Sequence, residues 1–148
     1  MFKKILVAID GSDLSLEGLR RALKMAEAGE AKLYVLYVID QRVFFLPHDI
    51  EGLQPENPYF KILEDLRKNG EELMKKARQI AQRKKMEFEG IIREGAVVEV
   101  IETTAAELKT DLIVVGAHGA SAKEKALAGS TAQKLITNAP CSVLVVRK

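Results

Sequence analysis

Cysteine, tryptophan and long apolar runs are scarce in this sequence. Its 148 residues include one cysteine, Cys141, two histidines and no tryptophan. A lone cysteine cannot form an internal disulfide, and there is no Cys/His cluster for zinc, so we expect a reducing, cytoplasmic location. The apolar run at residues 4–9 ends at Asp10, and no later run approaches the length of a membrane span, so no membrane partner is expected.

Neither sign of charge dominates. The chain carries 23 basic and 21 acidic residues, a formal net charge of +2. This mixed surface differs from the one-signed field of a nucleic-acid binder, so we expect no nucleic-acid partner. Hydrophobic residues make up 47% of the chain, which is enough for the core of one globular domain over residues 1–148.

Short apolar runs alternate with helical patterns along the chain. The predicted strands are residues 4–9, 32–38, 88–93, 111–116 and 142–147. Apolar spacings of three and four predict helices at about 16–26, 63–80, 97–108 and from Ser130 onward. Strands separated by helices pair in parallel through right-handed crossovers. The pattern therefore predicts an α/β fold with an open, doubly wound, five-stranded sheet and helices on both faces.

Residues 41–60 interrupt this alternation. They hold three of the four prolines and several apolar residues without a period, and they exceed the usual length of a connection. Two interpretations stay open: a functional flap, or an ordered excursion that packs Phe44, Phe45 and Leu46 on the protein's own surface.

Polar residues and glycines follow the two most apolar strands. Residues 5–9 and 112–115 should be central neighbours buried on both faces, and they are followed by Asp10 and Gly116. The crevice between the carboxyl ends of such strands is where open α/β sheets bind ligands. Backbone N–H groups at Gly116, Gly119 and the helix start at 129–131 would favour an anion there. The sequence thus predicts a phosphate site.

The spacing Gly116-x2-Gly119-x9-Gly129-Ser130 resembles the nucleotide-binding signature of the universal stress protein family. The resemblance extends to "KKILVAIDGSDLS", "LYVLYVID", "LIVVGAHGAS" and "GSTAQKLITNAPCSVLVV". It implies the ATP-binding branch of the family, a Rossmann-like parallel sheet of order 3-2-1-4-5, and a homodimer.

The same resemblance implies roles for particular residues, with ATP accompanied by Mg²⁺ or Mn²⁺ as the ligand. Asp10 would contact the ribose or adenosine side, and the backbone at Ala8 and Val38 would hold adenine. The phosphates would be lined by Val115, Gly116, Gly119, Gly129, Ser130 and Thr131. The loop at 120–128 is more charged than is usual in the family, which puts in doubt which of its side chains reach the phosphates.

Plainer interpretations exist for these residues. The three glycines could serve only turns and helix ends, and Asp10 could cap the first helix together with Ser12 and Asp13. His118 has no evident paired carboxylate, which favours a turn histidine over a general base. Lys123 and Lys125 flank Glu124, which favours solvated charges outside the site.

The last strand is apolar on both faces, from Val143 to Val146, and the implied strand order places it at a sheet edge. We expect two copies to pair through residues 142–147. The leading functional hypothesis is an ATP-binding regulatory, stress-response protein. The alternatives are a nucleotide-free dimeric scaffold and a slow ATPase in which Asp10 positions a metal and water. A phosphoacceptor receiver domain is disfavoured because "IIREG" lacks the acceptor aspartate.

Overall fold

Strands and helices alternate along the described part of the computed structural model, which covers residues 1–40, 56, 58–119 and 129–147. The elements are β1 Lys4–Ile9, α1 Asp13–Gly29, β2 Lys32–Asp40, α2 Pro58–Gln82, β3 Glu89–Gly95, α3 Val97–Leu108, β4 Leu112–Gly116, α4 Ser130–Asn138 and β5 Ser142–Val146. The strands form one parallel sheet of order β3-β2-β1-β4-β5. The predicted fold class and strand order are confirmed.

The two most apolar strands are neighbours at the centre of the sheet, as predicted. In the register of β1 with β4, Leu6 lies opposite Ile113 and Val7 lies opposite Val114, and all four are fully buried. Both faces of these strands are apolar because helices cover both. Side chains of α1 and α2 cover the face that contains Val7, and side chains of α3 and α4 cover the face that contains Leu6.

Strand β3 contains a glycine, Gly90, at a position where α2 leaves no room for a side chain. A Cβ at Gly90 would lie 2.9 Å from Arg78 Nη2 and 2.9 Å from Met74 Sδ, so the glycine allows α2 to approach the sheet closely. The Arg78 guanidinium also stacks over the Phe88 ring at 4.8 Å and donates to the Phe88 carbonyl. The strand begins at Glu89, one residue after the prediction, and continues to Gly95.

Helix α2 begins at Pro58, five residues before the predicted start, so residues 58–60 are helical and the prediction of an irregular segment to residue 60 is wrong there. Proline suits the first turn of a helix because its missing N–H would have no partner there. The apolar period also begins early, since the buried Tyr59 precedes Leu63 by four residues. The remainder of the predicted flap, including Phe44, lies outside the described residues.

The helices of the described residues also bear on the membrane prediction. None of them combines the length and the apolar character needed to cross a membrane.

Candidate functional site

A cavity of about 540 Å³ lies at the carboxyl ends of β1, β2 and β4. It includes the crevice between β1 and β4, where the winding of the sheet changes direction, the usual ligand position in open α/β sheets. The structure brings all nine predicted site residues to its wall: Ala8, Asp10, Val38, Val115, Gly116, Gly119, Gly129, Ser130 and Thr131. Their roles toward a ligand stay predictions.

One wall of the cavity is apolar. We call it the apolar slot and define it by Leu36, Val38, Val97, Ile101 and Val115. The sequence prediction missed Leu36, Val97 and Ile101. Apolar periodicity indicates that a residue faces the interior, but not whether it lines a cavity or packs in the core. Val97 and Ile101 are four residues apart on the sheet-facing side of α3, so the helical period was the available signal. A slot of this kind suits a flat, weakly polar group.

Asp10 stands where β1 turns into α1. One carboxylate oxygen, Oδ1, accepts a hydrogen bond from the Ser12 N–H at 2.9 Å, while Ser12 itself is the N-cap of α1 and accepts from the Ser15 N–H. The other oxygen, Oδ2, would lie 3.1 Å from a Cβ at Gly119. Ser12 therefore caps α1. Asp10 stabilises the turn through Oδ1, and its Oδ2 faces Gly119.

Two of the glycines have packing reasons that need no ligand. A Cβ at Gly116 would lie 3.0 to 3.2 Å from atoms of Leu14 and Ser15, so this glycine lets the first turn of α1 reach β4. A Cβ at Gly129 would lie 3.1 Å from the Ala117 carbonyl oxygen. The Gly129 N–H, which the sequence interpretation offered to an anion, instead donates to that carbonyl at 2.6 Å.

The start of α4 is the part of the wall that attracts negative charge. Gly129 is the N-cap, and it provides no side-chain hydrogen bond to the helix. Helix geometry leaves the N–H groups of the first turn without partners inside the helix, and the helix dipole adds partial positive charge there. Ser130 and Thr131 add two hydroxyl groups to the same wall. This end of the cavity is therefore suited to an anion.

Three further residues line the cavity: Tyr37 and Asp40 of β2, and Leu66 of α2. Burial raises the pKa of the Tyr37 hydroxyl above its usual value, and the negative charge of Asp10 raises that pKa further. The Tyr37 ring packs so closely on α2 that a Cβ at Gly70 would lie 2.6 Å from its Cδ1 atom. The sequence prediction missed Tyr37 because its closeness to Asp10 depends on the register of β2 with β1, in which Tyr37 lies opposite Ile9.

His118 lies between Ala117 and Gly119 and also lines the cavity. Its Nδ1 atom is buried and finds no hydrogen-bond partner in the described part of the chain. The interpretation as a turn histidine accounts for its position but not for this atom.

Other candidate groups lie elsewhere. Cys141 is half-buried, and burial raises the pKa of its thiol, against the lowering effect of a hydrogen bond with Thr110. Within residues 1–40, 56, 58–119 and 129–147, no group of three or more His, Cys, Asp or Glu side chains could hold a metal ion. Lys123 and Lys125 belong to the 120–128 loop, which lies outside the described residues.

The fold and the cavity define a class: a doubly wound α/β protein whose switch-point cavity joins an apolar slot to the N-terminus of a helix. The sequence model of the universal stress protein family matches residues 1–147, and this chain belongs to that family. Universal stress protein MJ0531 of Methanocaldococcus jannaschii is 36% identical over 148 residues, which cover 100% of this chain and 84% of that protein.

Solved structures agree with this assignment. Universal stress protein UspA from Lactobacillus plantarum has a TM-score of 0.84 and 27% identity, over 98% of this chain and 97% of that one. A universal stress protein in complex with cAMP has a TM-score of 0.74 and 25% identity, over 99% of this chain and 97% of that one.

Proposed function

We propose that this chain is a single-domain, ATP-binding member of the family that acts as a nucleotide-dependent regulatory switch. The observation that carries the proposal is the meeting, in one cavity, of the apolar slot, the Asp10 carboxylate and the start of α4. These three features match the three parts of a nucleotide: a flat base, a sugar with hydroxyl groups and an anionic phosphate chain. A similar universal stress protein that binds cAMP supports an adenine nucleotide as the ligand.

The base is placed by the apolar slot, next to the backbone of Ala8 and Val38. Asp10 accepts hydrogen bonds from ribose hydroxyls, and the first turn of α4 receives the phosphates, where Ser130 and Thr131 lie. A cavity of about 540 Å³ is within the usual size range of small-molecule sites.

A divalent cation, Mg²⁺ or Mn²⁺, fits this arrangement only together with the phosphates. Among the described residues, the carboxylates that line the cavity are those of Asp10 and Asp40. Magnesium in nucleotide sites commonly takes one or two carboxylates and completes its shell with phosphate oxygens and water. Because Asp10 contacts the ribose in this proposal, the ion arrives with ATP, and Asp40 is its protein ligand.

The switch involves the β5 edge of the sheet. Val143, Leu144 and Val145 are only half-buried in one copy of the chain, which supports pairing of two copies through this strand. Helix α4 packs on β5, and its first turn lines the cavity while Ile136, near its other end, is 60% exposed. One helix thus connects the proposed phosphate position with the proposed dimer surface.

Calorimetric titration of nucleotide-free protein with Mg-ATP tests the proposal. We expect a Kd near the micromolar range, which is roughly −8 kcal/mol. Gly129→Glu places a carboxylate at the start of α4 and should weaken binding at least about hundredfold through charge repulsion. Gln133→Glu, with the same change in charge on the exposed side of α4, should stay within about threefold of wild type, because one solvated charge outside the cavity is screened.

A second candidate, a nucleotide-free dimeric scaffold, is favoured by the packing reasons for Gly116 and Gly129. It predicts no heat of ATP binding from a protein that is still dimeric by light scattering. Slow hydrolysis is a separate question, answered by whether phosphate release from wild type exceeds that from Gly129→Glu. Binding that is equal in wild type and Gly129→Glu would contradict the proposed site.

A further inference from the structure

The His118 side chain has an unexplained feature in a cavity that otherwise suits an anion. We propose that His118 is a ligand-contacting residue that donates its Nε2–H to a phosphate oxygen of the bound nucleotide. The inference rests on the proposed function, because it needs a phosphate ester in the cavity. It adds a contact that the glycine spacing does not include.

The first argument is the state of Nδ1. This atom is buried, and no described residue gives it a hydrogen-bond partner. Removing a polar atom from water without replacing its hydrogen bond destabilises the folded protein, so such atoms are few and call for a reason. A histidine kept in that condition beside a cavity is explained if the other edge of its ring is used for binding.

The second argument concerns the position of the ring proton. A neutral imidazole carries one proton, and the nitrogen without it is an acceptor. A proton on Nδ1 would create a buried N–H with no acceptor in the described chain, and orphaned N–H groups are rarer in proteins than under-used acceptors. The proton therefore belongs on Nε2, and the ring presents an N–H donor from its other edge.

The third argument is position. A Cβ at Gly129 would lie 3.8 Å from His118 Cα, so the histidine lies next to the N-cap residue of α4. This is the end of the cavity with the first-turn N–H groups and the hydroxyls of Ser130 and Thr131. A donor here adds to the same anion-attracting set, which identifies the ligand group as phosphate rather than base.

A matched pair of variants tests the contact in the full-length protein. His118→Leu removes both ring nitrogens, whereas His118→Gln carries an amide N–H at nearly the distance of Nε2 from the backbone. Calorimetry with Mg-ATP should show a Kd about tenfold or more weaker for His118→Leu, as expected for a lost hydrogen bond to a charged group. The Gln variant should stay within about threefold of wild type. Adenosine, measured by competition, should bind all three proteins equally.

Two further measurements separate binding from folding. Chemical denaturation of ligand-free protein should show that His118→Leu is at least as stable as wild type, since the change replaces an unpartnered buried nitrogen by carbon. Long-range ¹H–¹⁵N NMR spectra should show the proton on Nε2 in the free protein, with its resonance shifted by ATP but not by adenosine.

The outcomes distinguish this inference from the proposal on which it rests. If wild type does not bind ATP, the proposed function fails and the phosphate contact fails with it. If wild type binds ATP and His118→Leu binds it equally well, only the His118 contact is overturned. It is also overturned if His118→Leu loses adenosine as strongly as ATP, or if the free protein carries its ring proton on Nδ1.

Discussion

The two edge strands of the sheet, β3 and β5, are built from opposite kinds of residue. Strand β3 carries Glu89, Arg93 and Glu94 among its seven residues, whereas β5, Ser142–Val146, carries no charge. Each strand pairs with one neighbour in the sheet, and no described strand pairs with its other edge. The edge strand β3 is therefore protected by charges from pairing with another strand, whereas the edge strand β5 is apolar.

The charges of β3 are engaged with neighbouring elements. Glu89 pairs with Lys32 at 3.4 Å, Arg93 pairs with Glu107 at 2.8 Å, and Glu94 pairs with Arg67 of α2. Exposed ion pairs such as these stabilise a protein by little. Charge along an open edge nevertheless opposes pairing with another strand, because pairing would strip these groups of water. We infer that these charges keep the β3 edge exposed to solvent.

Strand β5 has no such protection. Its three central side chains are half-buried against the cores on both faces, and Ile136 on the adjacent helix is largely exposed. We infer that the proposed association of two copies uses the β5 edge, the side of the sheet on which α4 also borders the cavity. Four substitutions test this difference between the two edges of the sheet.

The largest effect is expected for Leu144→Lys, at the centre of β5. In a two-fold pair of edge strands the central residue faces its own copy, so two lysines would oppose each other. We expect the proposed dimer to dissociate at least about hundredfold more readily, which corresponds to about 2.7 kcal/mol.

Light scattering at micromolar concentration measures this change. Ile92→Lys makes the same kind of substitution on β3, where the side chain is 37% exposed, and should leave the mass unchanged. A dimer that persists in the Leu144→Lys protein would place the interface elsewhere.

Gly70→Ala tests how closely α2 packs on Tyr37 of β2. The new Cβ would lie 2.6 and 2.8 Å from two ring carbons of Tyr37, so the ring or the helix must move. Overpacking of this kind costs about 1–3 kcal/mol, reduced by the better helix propensity of alanine. Urea denaturation should therefore show a net loss of up to about 2 kcal/mol.

Asn69→Ala is the matched control, since Asn69 is exposed on the same helix and should lose nothing. Equal stability of the Gly70 and Asn69 variants would mean that α2 is not closely packed on Tyr37.

Asp111→Asn provides a reference at the centre of the sheet, away from both edges. Its carboxylate accepts hydrogen bonds from the backbone N–H groups of Lys3 and Lys4, at 2.9 and 3.0 Å. The bond from Lys3 is the main reason that the pKa of this carboxyl is lowered. Replacement of one acceptor oxygen by an amide should cost about 1 kcal/mol at neutral pH.

The pH dependence follows from that direction. Because the folded pKa lies below the unfolded one, the stabilisation is present above about pH 4 and is lost as pH falls through the folded pKa. Denaturation curves of wild type and Asp111→Asn should thus converge in acid. If the difference in stability between wild type and Asp111→Asn is the same at every pH, the carboxylate charge does not contribute to it.

The smallest effect is expected for Glu94→Gln on the β3 edge. The Arg67 side chain of this ion pair is 64% exposed, so solvent screens the attraction. No measurable loss of stability is expected in thermal unfolding, and no change in mass. A new tendency to associate in this variant would show that Glu94 alone protects the edge.

Some features of the fold were predictable because they depend on local patterns. Continuous apolar runs predicted β1 and β4 as the central strands, and the helical spacing predicted α3 within its observed bounds. The start of α2 was missed because Tyr59 follows Pro55 and Pro58, and these prolines hide the first apolar residue of the helical pattern. Proline is a helix breaker only beyond the first turn.

The apolar period along the chain was enough to predict the α/β alternation, the central strands and the polar strand ends that meet at the switch point, because these features depend on local pattern and burial. Three features became visible only in the fold: Val97 and Ile101 complete an apolar slot, Gly129 gives its N–H to Ala117, and His118 Nδ1 has no partner among the described residues. Each of these depends on which residues from distant parts of the chain come into contact, and the spacing along one segment does not carry that information.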